Sequence, residues 1–385
     1  VIDAGDFIGW IAAAFWCVSI GLFLLSIVAA LLQPWLAERR ARRKDQPPVS
    51  IVLPVKTLED GFDATQESVF AQSYPQIDVT AAAQETSSPA LDHLRAIFLR
   101  HPDIPSRILL STAKFASSPK VDNLFAPFTQ APNDTILMKD ANILLEPDAL
   151  AEHMRQLNDD VGLVCGIPYC DRLDNFAAQV EAAIINNSHA RMLYLASALG
   201  QGHGVGKIML FRRSDFERAG GFSAIDHTVG EDNAMAKAMG RIGKRAVFSH
   251  RPVRQILGRR NFLDVYQRQM RWSVIRRKEE ILSFLAEPIC QALPAFIAAG
   301  LAAPLAGLTP TVAIAATFGF WLGAETLLSI AKGWQLSLTA PAVLLVREAL
   351  VLVIWVNAWM TEEVVWAKGR VRVRVAPPAA PEQEG

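Results

Sequence analysis

"LMKDANILLEP", residues 137–147, decides how this chain is read. Ile136, Leu137 and Met138 have the character of the end of a buried strand. Lys139, Asp140 and Asn142 then interrupt the apolar run before it resumes at Ile143. A strand that stops on a carboxylate between hydrophobics has two readings. Asp140 closes an Asx turn, or it holds a ligand.

The neighbouring segments favour a sheet whose strand ends carry function. "VSIVLPV" (49–55) reads as a strand, "DATQESVFAQ" (63–72) as a helix and "IDVTAAAQ" (77–84) as a strand. "ALDHLRAIFLRH" (90–101) is a helix, and "SRILLST" (106–112) and "NDTILMKD" (133–140) are strands. This alternation predicts a largely parallel sheet covered by helices. Ligands of such sheets sit at the carboxyl ends of strands, where Asp140 falls.

The chain has 385 residues, 51% hydrophobic and 20% charged, with a formal net charge of +0. No global field favours nucleic acid, and no nucleic-acid partner is expected. Phe7 to Leu32 contains no charged residue, and is long enough for a hydrocarbon core of roughly 30 Å. The basic "ERRARRK" (38–44) follows it, the reverse of a signal peptide. That order predicts an uncleaved anchor with the next segment in the cytoplasm. The expected division is an anchor and stem (1–45), a soluble unit (46–277), membrane segments with a basic tail (278–375) and a disordered end (376–385).

Phe284–Leu305, Thr311–Ala331 and Thr339–Trp359 are each apolar enough to span. Pro288, Pro294 and Pro304 argue against a straight first segment and for a re-entrant one. Three full crossings would leave the basic "KGRVRVRV" (368–375) on the wrong side. Two crossings and one shallow segment are therefore expected. Glu325, Arg347 and Glu348 fall within these segments and are expected to pair across helices. Cys17 and Cys290 fall in apolar segments; Cys165 and Cys170 would bind metal only with other ligands nearby, and are expected to be two packed, reduced thiols.

Two further stretches carry chemistry. In "HTVGEDNAMAKAMGRIG" (227–243), Glu231 and Asp232 open a helix, and Asp232 is either its cap or a functional acid. "YQRQMRWSVIRRKEE" (266–280) gathers Arg268, Arg271 and Trp272 on one helix beside the membrane. By themselves these also suit an interfacial helix meeting lipid phosphates.

Taken in order, these pieces resemble membrane glycosyltransferases of the GT-A fold, and among them the ceramide glucosyltransferase family. The resemblance runs from about Ser50 to Arg277, with the anchor and the apolar tail. It rests on "SPKVDNL" (118–124), "KDANILLEPDAL" (139–150), "GVGKIMLFRRSDFERAGGF" (204–222), "GEDNAMAKAM" (230–239), "RQMRW" (268–272) and "WAKGRVRVRV" (366–375). It implies an inverting transfer of a sugar from a nucleotide donor, UDP-linked, to a membrane lipid hydroxyl, with ceramide favoured. Hopanoid or diacylglycerol are the other acceptors. The Ala-rich, Arg-rich composition suggests a bacterium, so a bacterial inner membrane is expected, with the unit after the anchor in the cytoplasm. An inactive membrane scaffold of the same fold is the reading from another class.

By this resemblance Asp140 holds a divalent metal, Mg2+ or Mn2+, with the donor diphosphate. Asn142 and His250 are further metal ligands, although a lone histidine such as His250 is often structural. Arg271 and Arg268 pair with phosphate oxygens, Trp272 shields the donor, and Asp232 is the general base. Its helix start is expected to favour the ionised form. Lys56, Glu85, Lys120, Asn123 and Lys207 are candidate donor contacts; for the lysines and Asn123 a solvated or structural role remains open. The chain departs from the family at "QETSSPAL" (84–91), where Glu85 and Ser88 stand in place of aspartates. In "DAN", Asn142 replaces any second acid.

Overall fold

The structure is a computed structural model, and it describes residues 4–41, 43–366 and 369–373. Twelve strands occur among them. They are β1 (Val49–Pro54), β2 (Ile77–Ala83), β3 (Ser106–Leu110), β4 (Thr135–Lys139), β5 (Ile143–Leu144) and β6 (Val161–Cys165). There follow β7 (Pro168–Leu173), β8 (Ile208–Arg212), β9 (Arg245–Phe248), β10 (Val253–Gly258), β11 (Glu363–Trp366) and β12 (Gly369–Arg372). The main sheet has the order β3-β2-β1-β4-β8-β6-β9. Within it only β8 runs against its neighbours. A small sheet, β5-β10-β7, continues from the end of β4, and β11 and β12 form a hairpin.

The strand runs are nearly all apolar because both faces of this sheet are covered. Val49, Ile51, Leu53 and Leu137 pack on one side, and Val52, Ile136 and Met138 on the other. That alternation directs Lys139 to the Leu137 side, into the protein. Lys139 is fully buried, and its Nζ donates to the carbonyls of Thr65 (2.9 Å), Ile143 (2.8 Å) and Asp140 (3.3 Å). A charge inside the apolar run therefore ties the end of β4 to the start of β5, so the chain turns at Asp140.

The expected helices occur as Phe62–Phe70 and Pro89–Arg100. Ser88 is the cap of the second, accepting from Leu91 N at 3.3 Å. Cys165 and Cys170 are buried free thiols, as the sequence led one to expect; Cys17 and Cys290 are also free, and Cys17 is exposed. Among the described residues three helices are long and apolar enough to cross a membrane: Gly5–Arg40, Pro310–Lys332 and Ala340–Met360. Ile281–Cys290 and Ala292–Ala306 form a pair bent by 54°, which matches the bend expected from the prolines. Arg347 lies 2.9 Å from Glu325 of Pro310–Lys332, the expected pairing across helices, and 2.8 Å from its own neighbour Glu348. The basic tail forms part of the β11–β12 hairpin, while Lys368, Arg374, Val375 and the end at 376–385 lie outside the described residues.

Candidate active site

The carboxyl ends of β1, β2 and β4 open into one cavity of about 920 Å³. It gathers Lys56, Glu85, Lys120, Asn123, Asp140, Asn142, Lys207, Asp232, Arg268, Arg271 and Trp272, every candidate residue except His250. Its far wall comes from apolar helices and includes Ala286, Cys290, Gln291 and Val351.

Lys120 stands at the centre. Its Nζ lies 2.8 Å from Asp140 Oδ1 and 3.1 Å from Glu231 Oε1, and it donates to Gly206 O at 3.0 Å. Lys207 approaches the other oxygen of Asp140 at 3.3 Å. Burial works to raise the Asp140 pKa, but the two ammonium groups outweigh it and hold the carboxyl below its ordinary value. Burial works to lower the Lys120 pKa, and the Asp140 and Glu231 carboxylates outweigh it and raise it. Lys139, by contrast, is pushed down to about 7 by burial.

Asp232 lies in the first turn of the helix Glu231–Arg241, whose cap is Gly230, so it is not the cap residue. Its carboxylate accepts from Gly206 N at 2.7 Å and from Asn233 N at 2.9 Å. The segment can come this close because Gly204 and Gly206 lack side chains. A Cβ on Gly204 would fall 1.8 Å from Asp232 O. The expectation that the helix start favours the ionised form is corrected here. Burial outweighs Lys120 and the two N–H groups, so the Asp232 pKa is raised. Glu231 is raised for the same reason.

The helix Phe262–Glu279 supplies the arginines. Arg268 Nη1 donates to Glu181 Oε1 at 2.7 Å, and the fully buried Glu181 also faces Arg260 at 3.4 Å. Arg268 thus reaches the cavity already paired. Arg271 also lines it, its pKa pushed down to about 10 by burial and then by Arg268. The Trp272 ring lies 5.7 Å from that of His189.

Other placements sharpen the expected roles. Asn123 Nδ2 donates to Ala82 O at 3.1 Å, so it clasps the end of β2, while its Oδ1 is buried without a protein partner. Asn142 is buried, and its Oδ1 also has no partner. Lys56 and Glu85 are exposed on the cavity rim. His250 does not line the cavity. It follows β9, three strands from β4 at about 4.8 Å per strand. Its Nε2 lies 3.3 Å from Glu152, and burial lowers its pKa. Expectation had joined it to Asp140, and lateral position in the sheet keeps it away.

Sequence reasoning gave no role to Glu181, His189 or Lys139. Only Lys139 left a signal, as a charge within an apolar strand. Tertiary packing of the helical stretch 176–198 brings His189 to the cavity wall and the buried Glu181 to Arg268 behind it.

The chain is similar to several known proteins. Ceramide glucosyltransferase 1 of Caenorhabditis elegans is 25% identical over 232 residues, which cover 60% of this chain and 50% of that protein. Ceramide glucosyltransferase of Komagataella phaffii is 22% identical over 351 residues, covering 71% and 68%. The chain spans about half the length of the nematode relative. A mannosyltransferase from Pyrobaculum calidifontis, solved in complex with GDP-Man and Mn2+, superposes with a TM-score of 0.51 at 19% identity, covering 88% of this chain and 99% of that one. At that identity the likeness speaks for the fold alone, and the fold is GT-A. The model of the family described as Glycosyl transferase family 21 matches residues 18–378, nearly the whole length, and the chain belongs to that family.

Proposed function

We propose that this protein is a membrane glycosyltransferase that moves a sugar from a nucleotide diphosphate donor, UDP-linked, to a lipid hydroxyl, with ceramide as acceptor. One observation carries the reading. A single cavity joins a charged end, built from Asp140, Lys120, Lys207, Asp232 and Arg271, to a wall of apolar helices at Ala286, Cys290 and Val351. A polar donor and an apolar acceptor need such a two-ended site. In this reading residues 46–277 are the catalytic unit, in the cytoplasm of a bacterium and held to the inner membrane by 1–45 and 278–375.

Lys56 and Glu85, at the ends of β1 and β2, face the nucleoside, with Asn123 beneath them. Lys120 and Lys207 lie beside Asp140, where the diphosphate sits. Arg271 presents a planar fork to the phosphate oxygens, and Arg268, anchored on Glu181, supports it. Trp272 shields the donor. The acceptor oxygen attacks the anomeric carbon while the bond from that carbon to the diphosphate breaks. The leaving diphosphate takes the bonding pair, Asp232 takes the acceptor proton, and one displacement inverts the anomeric centre. The raised pKa of Asp232 brings it closer to the working pH of a general base.

Among the described residues no group of three His, Cys, Asp and Glu side chains gathers around a metal position. Both oxygens of Asp140 face ammonium groups, so a hard cation there would displace Lys120 and Lys207; Asp140 and the orphaned Oδ1 of Asn142 would then be its protein ligands, with donor oxygens and water completing the shell. When bound, Mg2+ or Mn2+ would neutralise part of the charge on the departing diphosphate.

The test is turnover by the purified full chain in lipid nanodiscs, supplied with labelled nucleotide sugars and ceramide, hopanoid or diacylglycerol. A lipid gaining one sugar by mass is the expected product, and its backbone identifies the acceptor. Donor binding with no transfer to any lipid would favour the inactive scaffold.

A further inference from the structure

The helix Ala4–Arg40 gives a direction against which the other apolar helices are measured. Its later half meets the catalytic elements: Gln33 Nε2 donates to Ser197 Oγ at 3.1 Å, and Arg40 to Ser197 O at 3.0 Å. Its start, at Gly9, lies against Leu305. The bent pair begins near the catalytic end, where Cys290 O accepts from Arg191 at 3.2 Å, and finishes beside Gly9. Pro310–Lys332 then returns. Trp16 donates to Thr317 at 3.2 Å, Phe23 stacks on Trp321 at 3.8 Å, and Lys332 ends 4.1 Å from the Tyr194 ring. The bent pair goes out and this helix comes back.

Ala340–Met360 behaves differently, because both its ends touch catalytic elements. Before its start, Ser337 Oγ and Thr339 Oγ1 donate to Gln179 Oε1 at 3.0 and 2.5 Å. Near its end, Asn357 Nδ2 donates to the Tyr266 hydroxyl at 2.9 Å. Just beyond, Thr361 O accepts from Arg277 at 2.9 Å, and Glu362 pairs with Lys278. Between these points Val343 packs with Val180 and Val265, and Ile354 and Ala358 pack with Met270 and Val274. The helix lies lengthwise on Phe262–Glu279, which carries Arg268, Arg271, Arg276, Arg277 and Lys278.

Twenty-one residues make a helix about 31 Å long, the thickness of a hydrocarbon core. If it crossed, one of its ends would draw Gln179, or Tyr266 with the arginines beside it, through the bilayer. Each charge carried to the centre costs several kcal/mol. We propose that Ala340–Met360 does not cross. It lies in the leaflet that faces the catalytic unit, with its outer face, Leu345, Val353, Val356 and Trp359, against lipid chains. Its inner face rests on the catalytic unit and places Val351 in the cavity wall. The chain then crosses twice after the catalytic unit, and the β11–β12 hairpin returns to the catalytic side. The sequence had suggested that the shallow segment was the proline-rich first one; the contacts point to the last.

The test is side-specific labelling of single cysteines in the full chain in sealed vesicles, with a membrane-impermeant maleimide and the wild type as background. Leu338→Cys, Arg370→Cys and Leu99→Cys are exposed positions expected to label from one side. Leu308→Cys, in the turn beside Gly9, is expected to label only after permeabilisation. Glu363→Cys replaces Arg370→Cys if that variant does not fold. Leu338 and the hairpin position on opposite sides would overturn the proposal. Labelling of Leu308 with the others would overturn the out-and-back path. Neither result depends on which reaction the protein catalyses.

Discussion

Lys120 Nζ sits 2.8 Å from Asp140 Oδ1, so the strand-end carboxylate meets a cation from the helix Pro119–Gln130. The two residues come from separate segments and form the charged centre of the cavity. Asp140→Asn keeps the size and removes the charge that holds Lys120 and Lys207 together. Transfer is expected to fall severely with the fold intact, and any response to added Mg2+ or Mn2+ to weaken. Rates and donor affinity measured with metal and with chelator check this. Full activity of Asp140→Ala in chelator would leave Asp140 as a turn residue.

Asp232→Asn keeps the side-chain size but cannot take a proton. Transfer is expected to drop by roughly 10²–10⁴-fold with donor affinity little changed. The pH profile is a second check. Burial raises the Asp232 pKa, and the base must be ionised, so the wild-type rate declines as pH falls through that raised value. The residual rate of Asp232→Asn is expected to lack this acid limb. Near-normal transfer would move the base to Glu231 or Glu85.

Arg271→Lys preserves charge and loses the planar fork. A large loss of transfer with unchanged membrane association is expected, measured by turnover and vesicle flotation. Release from the membrane at an unchanged rate would make this an interfacial residue.

Glu181→Ala leaves Arg268 without its buried carboxylate. Breaking a buried pair costs about 3–5 kcal/mol, so a lower unfolding temperature is expected. A change within the error of thermal unfolding would show that Arg268 finds another partner.

Lys139 gives a pH signature in stability. Its folded-state pKa, about 7, lies below the ordinary 10.5, so the unfolded chain binds the extra proton between those values. Lys139 therefore contributes a stability that rises with pH from about 7 to 10.5. Lys139→Met is expected to lose that slope. It should also lose roughly 1–3 kcal/mol, because three carbonyls lose their donor. Unfolding measured across this range compares the two chains.

The sequence by itself determined much of the local structure. Continuous apolar runs such as 51–55 required a doubly covered sheet, and the charge-free Phe7–Leu32 required an apolar environment. The order of Asp140, Asp232 and Arg271 along the chain already carried the family resemblance. These features are set by periodicity and by residue chemistry, which act over short stretches. Tertiary structure decided what each charge meets. Glu181 and Arg268 are 87 positions apart, and only packing of two helices joins them. His250 had a plausible residue type but lay too far along the sheet from Asp140. The Asp232 pKa turned on burial, which a helix start cannot reveal. Ala340–Met360 has the length and hydropathy of a crossing helix, and composition alone cannot tell a helix that spans from one that lies flat. Contacts at both its ends, with Gln179 and Tyr266, supply the missing direction.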